Sequence, residues 1–164
     1  MDNYLVFKMI HILSSMILIG TGAGIAFFML MGSRSNNPQG LVVITRTVVV
    51  ADWVFTAPAV IIQLVSGLVL MQLLGYSFSS LWFISVFSLF ILIGACWLPV
   101  VWIQYRLRSL AKKIDLASDG SESSARYNKE FRNWMRIWML LGLSAFTAII
   151  FILYLMVFKP ISVI

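Results

Sequence analysis

The sequence predicts an all-α integral membrane protein, a bundle of four transmembrane helices with antiparallel neighbours and both termini outside. Three observations carry that expectation. Four long apolar runs cover 4–31, 41–74, 81–103 and 137–158, and a helix rising about 1.5 Å per residue needs roughly 20 apolar residues to cross a hydrocarbon core of about 30 Å. Of the 164 residues 61% are hydrophobic and only 11% charged, with a mean hydropathy of +0.97, more apolar than a water-soluble core of this size requires. Finally, eight of the twelve Lys and Arg residues fall between Gln104 and Arg136. That placement follows the excess of positive charge in cytoplasmic loops of membrane proteins, so the net charge of +6 points to a bilayer and not to nucleic acid. A β-barrel is excluded because stretches such as Val48 to Val50 and Leu140 to Leu143 are continuously apolar instead of alternating. Residues 1–164 therefore read as one membrane domain in the bacterial inner membrane, crossed several times.

The first run is too long for the apolar stretch of a signal peptide and reads as a retained span. On it Lys8, His11 and Ser15 stand at i, i+3 and i+7, so one face carries a cation, the sole histidine of the chain and a hydroxyl. Gly20 and Gly24 form a G-x-x-x-G step, expected to let another helix approach closely. Gly32 to Gly40, with Asn36, Asn37 and Pro38, is a turn-forming loop.

The second run contains Asp52, the only acidic residue inside any span. At 100° per residue Thr56, Gln63 and Ser66 fall within about 40° of it, which predicts an inward-facing polar stripe. Arg46 points elsewhere and is placed at the cytoplasmic interface. Pro58 removes a helical hydrogen bond and predicts a kink with the Val54 carbonyl unpaired. The charge-free turn from Gly75 to Ser80 is short, so its two flanking helices are expected to pack together.

The third run holds the single cysteine, Cys96, which has no partner for an internal disulfide. A rough stripe of Leu107, Leu110, Ile114 and Leu116 extends its helix past the membrane, until Ser118 to Ser124 break it. Residues 104–136 then form a basic cytoplasmic hairpin lying against anionic lipid headgroups. The fourth run carries Tyr154. Depth places Lys8, His11, Gln63 and Tyr154 around an outer pocket, and Asp52, Gln104, Trp53 and Trp97 around an inner region. Trp82, Trp102 and Trp134 suit the interfacial aromatic belt, and the dispersed methionines suit packing.

No soluble-enzyme signature is present: the sequence lacks G-x-S-x-G, a P-loop, G-x-G-x-x-G after a strand and H-E-x-x-H. The runs Lys8-Met-Ile-His11, Gly20-Thr-Gly-Ala-Gly24, Ala51-Asp52-Trp53-Val-Phe-Thr56-Ala-Pro58 with Gln63 and Gly67, Trp97-Leu-Pro99-Val-Val-Trp-Ile-Gln104 and Lys159-Pro160 resemble an uncharacterised family of bacterial four-helix membrane proteins, a domain of unknown function. The likeness spans essentially the whole chain. More distantly, the first-helix Lys-x-x-His pattern is similar to that of the haem-containing, oxygen-independent protoporphyrinogen oxidases and of the copper-resistance D-type membrane proteins. That resemblance places a haem-ligating role on His11.

Three functions follow as expectations. The first is a redox protein binding haem b or another tetrapyrrole, with His11 on the iron, Lys8 on a propionate and Gln63 beside them; the lack of a second histidine rules out bis-histidine ligation within one chain. The second is a small proton-coupled transporter using Asp52, Gln63 and His11. The third is a non-catalytic accessory protein that assembles as a homo-oligomer or within a larger membrane complex.

Overall fold

The computed structural model describes residues 3–117 and 121–159. Expectations that involve Ser118 and Pro160 lie outside the described residues. The elements are α1 (Asn3–Arg34), α2 (Pro38–Ala51), a π-helical segment (Asp52–Thr56), α3 (Ala57–Leu73), α4 (Leu81–Leu116) and α5 (Glu122–Phe158). There is no strand among the described residues. Because α2, the π segment and α3 run on as one rod, Pro38–Leu73, the chain forms four rods long and apolar enough to cross a membrane. The start of α1 and the end of α5 lie at one end of the bundle, here the terminal end. The basic hairpin marks the other, the basic end.

Local chemistry sets the boundaries. Pro38 occupies the first turn of α2, and the Asn37 side chain accepts from the Gly40 N–H at 2.9 Å; proline loses nothing where no intrahelical bond exists, and Asn satisfies an orphan donor. At the end of α3, Gly75 takes a left-handed φ of 67°. Its N–H reaches the Gln72 carbonyl at 3.2 Å while the Tyr76 N–H reaches that of Met71 at 3.1 Å, the paired bonds of a Schellman stop that glycine enters without steric cost. Ser80 and Ser121 then cap α4 and α5 by accepting from Phe83 and Ser124.

The outward faces are apolar. Phe27, Phe55, Leu98, Leu140 and Phe151 are among the large hydrophobic side chains left exposed, a surface that only lipid can cover at no cost. Tight packing is concentrated at the basic end, where Met29, Leu41, Val48, Ile103, Leu107, Leu110, Ala111, Phe131 and Met135 join in one buried cluster. Residues 104–116 continue α4 and 122–136 begin α5, the two zipped together. Arg106 and Glu130 pair across this hairpin at 2.7 Å, and Lys113 sits 5.5 Å over the Tyr127 ring.

Three expectations are corrected. The helices flanking the Gly75 to Ser80 turn do not form a close pair: α3 packs on α1, whereas α4 packs on α5 and, further down, on α2. The α4 start is drawn away because Trp82 is buried and donates to the Leu155 carbonyl at 2.7 Å. A Cβ added to Gly20 or Gly24 meets nothing within 4 Å, so the G-x-x-x-G step makes no tight helix crossing. The tight glycine is Gly32, where an added Cβ comes within 2.8 Å of Ile44 Cδ1. Finally, the irregularity near Pro58 is a π segment on its N-terminal side, with the Ala57 N–H bonded to the Asp52 carbonyl five residues back. Widening the turn carries the Val54 carbonyl away from the pyrrolidine ring that would strike it in an α-helix.

Candidate functional site

At the terminal end the two hairpins part, and a cleft opens between α1 and α3 on one side and α4 and α5 on the other. His11, Gln63, Gly67 and Met71 form one wall, and Trp82, Phe83, Phe87, Phe90, Ile152 and Met156 face them. The polar groups stand at its α1–α3 seam. His11 Nδ1 lies 2.9 Å from Ser66 Oγ, and His11 Nε2 lies 2.9 Å from Gln63 Nε2. Ser66 Oγ is itself 2.6 Å from the Ile62 carbonyl, which can only accept.

Proton counting fixes the network. Ser66 gives its proton to Ile62 and so receives one from His11 Nδ1–H, which leaves the Nε2 lone pair to accept from the Gln63 amide. Ser14 Oγ holds the other end of that amide by donating to Gln63 Oε1 and also lies 3.0 Å from the His11 carbonyl. With the Gln63 amide oriented so that Oε1 faces Ser14 and Nε2 faces the ring, the imidazole is the neutral Nδ1–H tautomer. Gly67 makes room for the ring: a Cβ there would stand 3.1 Å from His11 Cε1.

Of the expected outer pocket, His11 and Gln63 are together as the sequence implies. Lys8 is exposed and sits 5.5 Å over the Tyr4 ring, away from the cleft lining. Tyr154 is also exposed, its ring tilted against that of Phe158 with centroids 4.8 Å apart. Ser15 bonds its own helix at the Ile12 carbonyl. Its neighbour Ser14, buried, is the member that sequence reasoning missed. The signal was present in the spacing, since Ser14 follows His11 by three residues on the same face.

The second region is real but differently composed. Trp53, Trp97, Leu98, Val101, Trp102 and Tyr105 line an open apolar groove of about 310 Å³, and Trp53 Nε1 donates to Tyr105 Oη at 2.8 Å. Asp52 and Gln104 turn away from it and are buried, at 5% and 2% exposure. Trp102 and Trp134 meet edge to face at 5.2 Å, as members of the interfacial belt can, whereas buried Trp82 belongs to the cleft and not to that belt.

Four apolar rods with lipid-facing exteriors and a hydrogen-bonded polar cluster kept inside define a multi-pass integral membrane protein. Residues 5–160 match the family described as predicted integral membrane protein (DUF2269), and the chain belongs to that family. No curated protein and no solved structure matches the chain. The expected likeness to haem-containing oxidases and copper-resistance proteins accordingly has no counterpart in these comparisons.

A porphyrin does not fit the cleft as it is arranged. The Nε2 lone pair that would bind iron is engaged by Gln63, and the cavity beside His11 measures about 80 Å³ against the roughly 300 Å³ or more of a site for a molecule of drug size. No group of three or more His, Cys, Asp or Glu side chains able to hold a metal occurs among the described residues.

Proposed function

We propose that this membrane protein binds an amphiphile drawn sideways from the bilayer, with the ligand's polar head against Gln63 and His11 and its apolar body between the aromatic wall of α4 and the lipid. The observation that carries this reading is that His11 and Gln63, held in place by buried Ser14 and Ser66, line an otherwise apolar cleft between two hairpins that separate there. A small cavity suits a head group, and the lateral opening suits a tail that stays in lipid. Gln63 gives one amide hydrogen to His11, leaving the second for a carbonyl or hydroxyl oxygen of the ligand. The positive-inside bias supports placing the basic end in the cytoplasm and this cleft in the outer leaflet of an inner membrane.

The test is organic extraction and mass spectrometry of the protein purified in nanodiscs, wild type beside Gln63→Leu. Losing a buried hydrogen bond costs about 1–3 kcal/mol, so an oxygen-bearing amphiphile retained by wild type should fall in occupancy by about tenfold or more in the variant. Identical extracts would overturn the proposal. A pyridine haemochrome assay on the same samples checks the haem expectation: a Soret band that disappears in His11→Ala would replace the amphiphile with a porphyrin, and its absence is expected.

A further inference from the structure

Deep in the bundle, far from the cleft, three oxygen-bearing side chains are left without a hydrogen-bond partner. They are Asp52 Oδ2, Thr56 Oγ1 and Gln104 Oε1, on residues only 5%, 8% and 2% exposed. Burying an unpaired carboxylate costs several kcal/mol, and each unpaired neutral oxygen adds to that cost. Such groups persist in a membrane interior when something completes them.

Their placement follows from contacts elsewhere. The Trp53 to Tyr105 hydrogen bond sets those two residues at one depth on the lipid side, so the buried residues preceding each, Asp52 and Gln104, lie level with one another on the inner side. Asp52 and Thr56 are the two buried positions of the π segment. A wider turn of about 4.4 residues keeps an i, i+4 pair on one face. The α1 to α3 register is fixed by His11 against Ser66 near one end and by Gly32 against Ile44 near the other. Interpolating between them brings Gly24 level with Asp52 and Gly20 level with Thr56, and α1 does pack on the π segment. At that level the inward face of α1 carries Thr21 and buried Ile25, while Gly20 is exposed.

We propose that Asp52, Thr56 and Gln104 form an internal binding site for a small monovalent cation, for which Na⁺ is the probe. All three orphaned groups offer oxygen lone pairs, the ligand type that hard cations take. The one carboxylate supplies a single negative charge, too few for the acidic cages of Ca²⁺. No described cation neutralises Asp52, since the one salt bridge among the described residues is Arg106 with Glu130. A water molecule could satisfy two of the oxygens but would leave the charge uncompensated. Trp97 Nε1 and Trp138 Nε1 are also without partners, but as donors they do not ligate a cation. A π segment at the middle of the rod fits this role, because such widened turns recur at functional positions where backbone and side chains are re-aimed.

The experiment is equilibrium binding of radiolabelled Na⁺ to the purified full-length protein, paired with thermal unfolding as choline is replaced by Na⁺ at constant ionic strength. Wild type is expected to bind Na⁺ saturably, one per chain, and to melt at a higher temperature in Na⁺. Thr56→Val should raise the apparent Kd by about tenfold or more, and Thr56→Ser should restore it. Asp52→Asn should abolish binding, while His11→Ala, in the cleft, should leave it intact. Wild-type protein whose melting and label retention ignore Na⁺ across pH 5 to 9 would overturn the proposal, in favour of a protonated carboxyl bridged by water. Unchanged Na⁺ binding in Asp52→Asn would overturn it equally.

Discussion

At the scale of single residues, the chain uses its one histidine in a fully hydrogen-bonded state. Both ring nitrogens of His11 are engaged by α3 side chains, and the second layer, Ser14 and the Ile62 carbonyl, fixes which atom donates. Glycines nearby have opposite meanings despite identical chemistry. Gly67→Ala would push a methyl group to 3.1 Å from His11 Cε1, displacing the ring from Ser66 and Gln63. The expected result is a loss of about 1 kcal/mol or more of stability and a shifted Nδ1–H resonance. Gly20→Ala and Gly24→Ala put their methyl groups where nothing lies within 4 Å, so melting temperature should hold or rise slightly, as alanine is the better helix former by about 1 kcal/mol. Equal destabilisation at all three positions in thermal melts would contradict this account.

Among the elements, the π segment is where sequence reasoning and structure part. Counting 100° per residue from Asp52 places Thr56, Gln63 and Ser66 on one stripe, but five residues at about 4.4 per turn fall short of that count by roughly 90°. Asp52 and Thr56 consequently belong to an interior region, while Gln63 and Ser66 turn to His11. Hydropathy made the four spans legible, and the lone His11 with Gln63 made half of the cleft legible. What it hid was a phase error introduced by one element, together with Ser14, whose partner stands 49 positions away in the chain. Pro58→Ala restores a hydrogen-bond donor and removes the ring that the widened turn accommodates. The expected outcome is relaxation of Asp52–Thr56 toward α-helix, with α3 rotated against α1. Chemical shifts of the backbone across the segment should report it, and loss of the His11 to Ser66 contact should accompany it. Gly32→Val acts on the α1–α2 crossing, where even a Cβ falls 2.8 Å from Ile44 Cδ1. Overpacking of this kind typically costs about 1–3 kcal/mol, readable as a lowered melting temperature.

For the molecule as a whole, the division is between a zipped basic end and a parted terminal end. The Arg106 guanidinium, hydrogen-bonded to Glu130, holds that carboxyl below its usual range, with help from Trp134 and Lys113. A carboxyl whose folded-state value is depressed adds stability above its unfolded value, and that contribution disappears as pH falls through the folded one. Acidification below pH 4 should therefore loosen the hairpin, and Glu130→Gln should weaken this pH response in a melting series, by a small amount because the pair is solvent-accessible. The same asymmetry makes a sharper forecast about motion. At the basic end α4 and α5 share a continuous apolar core with α1 and α2, and such interiors are too well packed to move independently. At the terminal end α3 packs on α1 while α4 packs on α5, and the cleft between them is closed mainly by aromatic side chains. Two hairpins packed together at the basic end and tied at the terminal end through the short turn 74–80, whose Tyr76 accepts a hydrogen bond from Lys159 at 2.9 Å, should open and close across the cleft between those ties, which is how an amphiphile would enter from the side. Spin labels at Leu73 on α3 and Ile84 on α4, both exposed, should give a broad distance distribution in nanodiscs, and labels at Val43 on α2 and Leu116 on α4, exposed at the basic end, a narrow one. Addition of the extracted amphiphile should narrow the first and leave the second unchanged. Equal widths at the two ends would mean that the cleft is a fixed feature of the bundle, and that a ligand must enter without the hairpins separating.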